Sequence, residues 1–317
     1  NSMLYLGGKF LDEECLKFAA QIATKTGCRL VTDTFVSRIR RGAGLPIVQQ
    51  VPYFSEMAED FLQGTESIVF IGTKPPVSFF AYPDKKSFLS PDEAELFELC
   101  SVEENGYEAL ALLSELSGSP KIANELIRPH ISDVPTSGDL DVTTLGPLIA
   151  DIMPEESIVS DESATSSLIV TPHALQAKPH DWLALTGGSI GQGLPLAIGA
   201  SIAKPDRPVI TLHGDGGAMY TVQALWTQAR ENLNITNIIF SNRSYEILKI
   251  ELDRVQAVET GERAASMFSM DNPPIDWVNL AESMGVQGYK PKTVKEFKDV
   301  FSKSVNESGP SLIEIEI

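Results

Sequence analysis

The chain predicts an α/β protein built from two doubly wound domains, each with a largely parallel sheet covered by helices on both faces. Three observations carry that reading. Short apolar runs alternate with segments of helical period, the order expected when parallel strands are joined by crossover helices. Glycine-rich or polar clusters follow several of those runs, as they do where strands deliver a ligand site at their carboxyl ends. The length, 317 residues, exceeds one ordinary domain and suits two of about 150.

Taken in order, Leu4–Leu6 predicts a first strand ending in Gly7-Gly8. Asp12 can cap a helix that buries Leu16, Ala19, Ala20 and Ala23 and closes at Gly27. Arg29–Val31 predicts the next strand, Ser55 precedes a helix ending before Gly64, and Ser67–Ile71 predicts a buried strand. Glu95–Leu99 gives a weaker strand, and Tyr107–Leu116 a helix with Leu110, Leu113 and Leu116 on one side. The connection Arg38–Val51 carries the short basic cluster Arg38, Arg40 and Arg41, which reads first as a solvated loop and second as an anion contact. Periodicity is lost over Ser117–Asp141, where Gly118, Pro120, Pro129, Pro135 and Gly138 collect. This places a first domain at 1–128, a linker at 129–140 and a second domain at 141–317.

The second domain opens with a helix over Thr143–Met153, ended by Pro154, and a strand Ile158–Ser160 running into Asp161–Ser166. Trp182–Leu185 predicts a strand delivering Thr186–Gly193, followed by a small-residue helix through Ala203. Val209–Leu212 and Ile235–Phe240 predict buried strands with a helix over Ala218–Arg230 between them. Helices are expected after Ser244, over Trp277–Gly285 and over Val294–Val305. The alternation in Ser311–Ile317 predicts a terminal strand with one face exposed.

Composition narrows the function classes. A formal charge of −18 removes the basic face that nucleic acid or an anionic membrane would require. Any phosphate site must therefore rely on backbone N–H groups and metal. Cys15, Cys28 and Cys100 lack C-x-x-C spacing and read as buried thiols of a reducing compartment. No apolar run has the length of a membrane span, and the first residues show no basic or hydrophobic leader pattern, so the cytoplasm is expected, with an organelle matrix left open.

The chemistry concentrates between His213 and Ser244. Gly214-Asp215-Gly216-Gly217 follows one predicted strand and Ser241-Asn242-Arg243-Ser244 the next, with Asp215 and Asn242 27 residues apart. That spacing accommodates a helix and a strand and returns the chain to the same sheet edge. Mg²⁺ takes six oxygens, one or two of them from carboxylates. Asp215, Asn242 and the Ser244 carbonyl would supply three, leaving room for a diphosphate and water. Gly216 and Gly217 would turn N–H donors toward the phosphates. Gly-Asp-Gly alone fits a tight turn, with Asn242 capping the next helix; the two together after apolar strands favour the ligand site. Gly187–Gly193 is a second loop in which Ile190, an apolar side chain set in glycine, can prop a planar ring. It is not G-x-G-x-x-G and lacks the acidic residue a dinucleotide ribose needs. Asp161-Glu162-Ser163 reads as a surface turn or cap, and His213 as a packing residue. His130, His173 and His180 have no zinc-type companions, and no G-x-S-x-G elbow occurs.

Gly214-Asp215-Gly216…Asn242 together with Gly188-Ser189-Ile190-Gly191 resembles the thiamine-diphosphate enzymes, in the branch of acetolactate synthase and benzoylformate decarboxylase. Ala224-Leu225-Trp226, Asn242–Tyr245, Trp277 and Gly309–Glu314 extend the resemblance over nearly all of 141–317. It implies thiamine diphosphate and Mg²⁺ as cofactors, with Asp215, Asn242 and Ser244 as metal ligands and Gly216 and Gly217 along the diphosphate. It also implies that the Gly188 carbonyl faces the aminopyrimidine and Ile190 wedges the cofactor into a bent form, and that Glu162, Ser163, Ser189, Gly214, Tyr245 and Glu246 complete the cofactor contacts. The substrate implied is a small-molecule 2-oxo acid, decarboxylated or joined to a second carbonyl compound, in a homodimer or homotetramer. Such enzymes have three α/β domains, of which this chain resembles the middle and the last. The glutamate that activates the aminopyrimidine is then expected outside this chain, and the chain alone is expected to be inactive. The family's Asn-Asn pair is Ser241-Asn242 here. Glu251 stands where acetolactate synthases carry a tryptophan, and Glu246 replaces a small residue. Some relatives hold FAD in the central domain; the residues here establish none. The alternative is a non-catalytic cofactor- or nucleotide-binding module with a scaffolding or regulatory role.

Overall fold

The computed structural model describes residues 1–121, 131, 133–255 and 261–317. His130, Pro129 and part of the expected linker lie outside the described residues. The chain divides into two compact units, Asn1–Arg128 and Pro129–Ile317.

The first unit contains β1 (Ser2–Leu6), β2 (Arg29–Thr32), β3 (Ile39–Arg41), β4 (Gln49–Gln50), β5 (Ser67–Ile71) and β6 (Glu95–Cys100). Five of these pair in parallel in the order β4-β2-β1-β5-β6. The helix Glu13–Thr26 forms as its ends predict. Asp12 accepts the Cys15 N–H, and Gly27 adopts φ +73°, returning its N–H to the Ala23 carbonyl. That conformation favours glycine because a Cβ clashes with the backbone. Met3, Tyr5, Val31, Ile68 and Phe70 pack with Ala58 and Leu62 of the helix Ser55–Leu62 into one core.

The expected solvated loop at Arg38–Arg41 is corrected. Ile39–Arg41 is a strand, and Arg40 and Arg41 are buried, with the Arg40 Nε 3.6 Å from Glu13 and an Arg41 NH2 donating to Gln50 Oε1 at 3.4 Å. Charge runs usually face water, but guanidinium groups tolerate burial when acceptors meet their fixed donor fork.

In the second unit, β7 (Ile158–Glu162), β8 (His180–Leu183), β9 (Val209–Gly214), β10 (Ile235–Ser241), β11 (Gln287–Tyr289) and β12 (Ser311–Glu316) follow one another in the chain. They pair in the order β11-β12-β10-β9-β7-β8, parallel throughout. Leu225, Ile239, Trp277, Ala281 and Leu312 build one core cluster and Ile158, Ala197, Val209 and Ile235 a second, with Ile198 packed against both. Full burial of a Leu or Ile side chain contributes about 1.5–3 kcal/mol, so these clusters dominate the unit's stability. The helix Val294–Asn306 starts on a capping box between Thr293 and Glu296 and buries Val294, Phe297 and Phe301.

Three further expectations change. The terminal strand is buried over Ser311–Ile315 instead of exposing one face: β10 and β11 cover its edges, and Glu314 is accommodated by Lys290 at 3.1 Å. The helix expected over Ala218–Arg230 breaks into Asp215–Ala218 and Ala224–Arg230. The helix Ser167–Ala174 went unforeseen, since Pro172 lies inside it and its apolar residues do not fall on one face.

Asn237 is buried at the centre of the sheet. Its Oδ1 accepts from Thr211 Oγ1 (3.0 Å) and Gln228 Nε2 (3.2 Å), while its Nδ2 donates to Gln228 Oε1 (2.8 Å) and the Ser311 carbonyl (2.9 Å). Truncation would strand several buried partners. Asn237→Ala is expected to cost about 2–3 kcal/mol in urea unfolding without changing the fold.

Candidate functional site

Because β8, β7, β9 and β10 are neighbours and parallel, their carboxyl ends share one edge. There they deliver four turns: Ala184–Gln192 after β8, Ser163–Ser166 after β7, Asp215–Ala218 after β9, and Asn242–Tyr245 after β10. The register places Glu162 beside His213 and Gly214 beside Phe240. Residues 51 and 26 positions apart are thereby brought to one place.

Asp215 is 3% exposed, and both carboxylate oxygens face backbone donors: Oδ1 accepts the Gly216 N–H (2.8 Å) and Oδ2 the Arg243 N–H (2.7 Å). The second bond requires Arg243 at φ +52°, a left-handed conformation uncommon for a residue with a Cβ. The Arg243 side chain holds the turn from outside, reaching Glu316 with one NH2 and lying 3.7 Å from Asp271. Burial pushes the Asp215 carboxyl above the usual range, and the N–H groups of Arg243 and Gly216 offset only part of that. Asn242 Oδ1 accepts the Ser244 N–H at 2.9 Å. Ser244 Oγ has two acceptors in reach of its single proton, Glu246 Oε2 (3.2 Å) and the Phe268 carbonyl (3.3 Å), and Lys249 also donates to Glu246 at 3.2 Å. Tyr245 packs its ring over Gly216, where a Cβ would approach it to 2.7 Å.

The donor set is one buried carboxylate, an amide oxygen and main-chain carbonyls. Such hard oxygens suit Mg²⁺ better than zinc. Among the described residues no group of three or more His, Cys, Asp or Glu could hold a metal.

In the glycine loop, Gly187, Gly188 and Gly191 all have positive φ, and the Gly188 carbonyl accepts the Ile190 N–H at 2.9 Å. Ile190 is 49% exposed, so its side chain is open to contact at this edge. Ser189 donates its N–H to Thr186, and the Gly191 carbonyl accepts from Thr221 Oγ1 at 2.6 Å. This last bond ties the loop to the residues after Gly214–Gly217.

Asp161-Glu162-Ser163 is not a surface turn. Asp161 and Ser163 are buried, and Asp161 Oδ1 accepts the Ser163 N–H (3.0 Å) and hydroxyl (2.6 Å), with Ser167 Oγ 2.9 Å from each carboxylate oxygen. Ala164 follows at φ +51°, giving the right-handed-then-left-handed backbone that turns successive N–H groups into one concavity. Gly214 adjoins it, with the Ser163 carbonyl 3.8 Å from where its Cβ would stand. Ala164 and Arg243 escaped sequence reasoning because their contribution is backbone geometry. Glu162 turns inward, its carboxylate accepting the N–H of Gly191 and, at 2.6 Å, that of Gly193. His213 is fully buried with Nε2 3.2 Å from Glu162, and its Nδ1 lies 3.0 Å from the Gly214 carbonyl. The signal that could have revealed this pair is register: counting equally along β7 and β9 sets 162 against 213.

Residues 164–315 match the thiamine pyrophosphate enzyme, C-terminal TPP binding domain. Over those residues the chain belongs to the thiamine-diphosphate enzyme family. Within that family, a Mycobacterium tuberculosis protein that carries the provisional name acetolactate synthase large subunit IlvX is 40% identical over 316 residues, covering 99% of this chain and 61% of that protein. Benzoylformate decarboxylase of Pseudomonas aeruginosa is 25% identical over 216 residues, 65% of this chain and 40% of that enzyme. The solved thiamine diphosphate-dependent 4-hydroxybenzoylformate decarboxylase of Rhodococcus jostii RHA1 superposes with a TM-score of 0.76 at 24% identity, over 100% of this chain and 61% of that one, and so shares the fold. The chain thus spans about three-fifths of the length of the thiamine-diphosphate enzymes it most fully matches.

Burial acts to raise the Glu162 carboxyl, but His213 and the two glycine N–H groups outweigh it and hold the group below the usual carboxylate range. A depressed folded value means that the stability contributed by ionised Glu162 is complete above the unfolded value, about 4.3. It is lost as pH falls through the folded one. The stability difference between the wild type and Glu162→Gln, from urea unfolding, is therefore expected to be flat between about pH 5.5 and 7 and to shrink below about pH 4.

Proposed function

We propose that this chain carries the diphosphate and metal half of a thiamine-diphosphate- and Mg²⁺-dependent site in a 2-oxo-acid decarboxylase or carboligase. The observation that carries the proposal is the convergence at one sheet edge of buried Asp215, the Asn242–Ser244 turn and two glycine loops. Family membership supports the cofactor class, and the donor chemistry supports the metal.

On this reading Asp215 Oδ1 and Oδ2, Asn242 Oδ1 and the Ser244 carbonyl are the oxygens that would hold Mg²⁺. The bonds from Gly216, Arg243 and Ser244 N–H groups keep those oxygens aimed before any ion arrives, so little ordering entropy remains to be lost on binding. The N–H groups of Gly217 and Ala164 would meet diphosphate oxygens, replacing the lysines that the acidic composition does not provide. Gly188, Ser189 and Ile190 would support the middle of the cofactor, Ile190 by contact with its rings. Tyr245 and Glu246 flank the metal turn. When bound, thiamine diphosphate supplies a carbon nucleophile and an electron sink for decarboxylation of a 2-oxo acid. The chain's own part is to bind, bend and shield it. The acid that starts proton transfer at the aminopyrimidine is assigned to a further domain or subunit, a reading supported by the relative's greater length; the assembly proposed is a cytoplasmic homodimer or larger.

Calorimetric titration with thiamine diphosphate in the presence of Mg²⁺ tests the proposal. Binding should weaken at least 100-fold in Asp215→Ala and markedly in Asn242→Ala, with the fold retained by circular dichroism. Undiminished binding in both variants, or no binding by the intact oligomeric protein, would rule the reading out.

A further inference from the structure

The proposed site uses the outer surfaces of two glycine loops, and both loops rest on the same buried pair. Glu162 is 4% exposed and His213 is fully buried. From one side the carboxylate receives the N–H groups of Gly191 and Gly193. A Cβ at Gly193 would stand 2.9 Å from the His213 ring and 3.1 Å from the Glu162 Cβ. From the other side a Cβ at Gly217 would stand 3.0 Å from Glu162 Oε1 and 3.0 Å from the His213 ring. Both positions thus leave room for little more than hydrogen, and the loops approach the pair as bare backbone. Ser160, one pleat earlier on β7, adds a hydroxyl bond to the Gly193 carbonyl at 2.9 Å.

A carboxylate with two backbone donors and an imidazole beside it is a geometric constraint as well as a charge. Each oxygen fixes one N–H of the loop, and the 2.6 Å bond to Gly193 is short even for a charge-assisted contact. The same carboxylate is a wall for the Gly214–Gly217 turn. Its position therefore sets the distance between the loop bearing Ile190 and the turn bearing Asp215.

We propose that Glu162 is a positioning residue, with His213 its brace: together they lock the Gly187–Gly193 loop at one separation from the Gly214–Gly217 turn before any cofactor binds. The proposal rests on the cofactor reading above for its purpose and on the hydrogen bonds alone for its mechanics. Glu162 touches no cofactor atom in this scheme. Replacing it by glutamine keeps the volume but presents an NH₂ to one of the two N–H donors, so the loop must release.

The experiment compares the wild type with Glu162→Gln, using Glu162→Asp as a milder second variant. Hydrogen exchange at Gly191 and Gly193 in the cofactor-free protein should accelerate at least tenfold in Glu162→Gln and less in Glu162→Asp, with the amides of β9 and β10 unchanged. Calorimetry should then split two ligands. Thiamine diphosphate with Mg²⁺, which spans both loops, should bind at least tenfold more weakly. Magnesium pyrophosphate, which needs the turns bearing Asp215, Asn242 and Ala164 but not the Gly187–Gly193 loop, should keep its affinity. Equal weakening of both ligands, or unchanged exchange at Gly191 and Gly193, overturns the proposal. So does loss of the fold in both variants, which would make Glu162 a residue of general stability. If the wild type binds no thiamine diphosphate while exchange still accelerates in Glu162→Gln, the cofactor reading fails and the clamp stands.

Discussion

The parallel pairing of β9 with β7 on one side and β10 on the other is the constraint on which the site depends. Parallel strands end together, so every chain reversal at their carboxyl ends opens onto a shared crevice. Asp215, Asn242 and Ser163 could not otherwise meet, because helices and strands separate each from the next in the chain. The pairing in turn relies on what lies between the sheet and its helices: apolar contacts and, at the centre, the hydrogen-bonded amide of Asn237. An amide buried there would be costly if any of its groups were idle. All of its polar atoms have partners, and the bonds also fix β10 against β9 and β12.

The same economy governs the two buried carboxylates of the site. Asp215 and Glu162 are removed from water by the fold, which destabilises their charged forms. Backbone N–H groups substitute for the lost hydration, but with opposite results. At Glu162 the two glycine donors and His213 suffice to hold the charge; at Asp215 the donors fall short and the carboxyl is pushed up. Glu162 is thus a compensated buried charge, whereas the Asp215 carboxyl stays raised by burial. Two acids of similar burial differ in charge balance because of what surrounds them.

Backbone conformation does much of the remaining work. Ala164 and Arg243 occupy left-handed conformations without being glycine, and each lies in a turn at the shared edge. Conformations of this kind cost of order 1–3 kcal/mol and persist when surrounding bonds over-determine them. At Arg243 the N–H to Asp215 inside and the ion pairs with Glu316 and Asp271 outside supply that restraint.

Much of this was legible in the residue order. The α/β class follows from apolar runs spaced by helical segments, the caps at Asp12 and Gly27 from residue type, and the Asp215–Asn242 pairing from its spacing after two strands. Those are local or periodic properties, and periodicity in sequence becomes periodicity in space. What the sequence could not convey depended on contacts between distant segments. Arg40 and Arg41 read as surface until partners took up their charge, and Glu314 read as an exposed strand face until β11 and Lys290 covered it. Asp161, Glu162 and His213 read as a turn and a packing residue, and only register between β7 and β9 made Glu162 and His213 a joint between two loops. Sequence by itself determined which groups could carry the chemistry; tertiary structure decided which charges are buried and what each one faces, because burial and hydrogen-bond partnership belong to pairs of segments and to no segment alone.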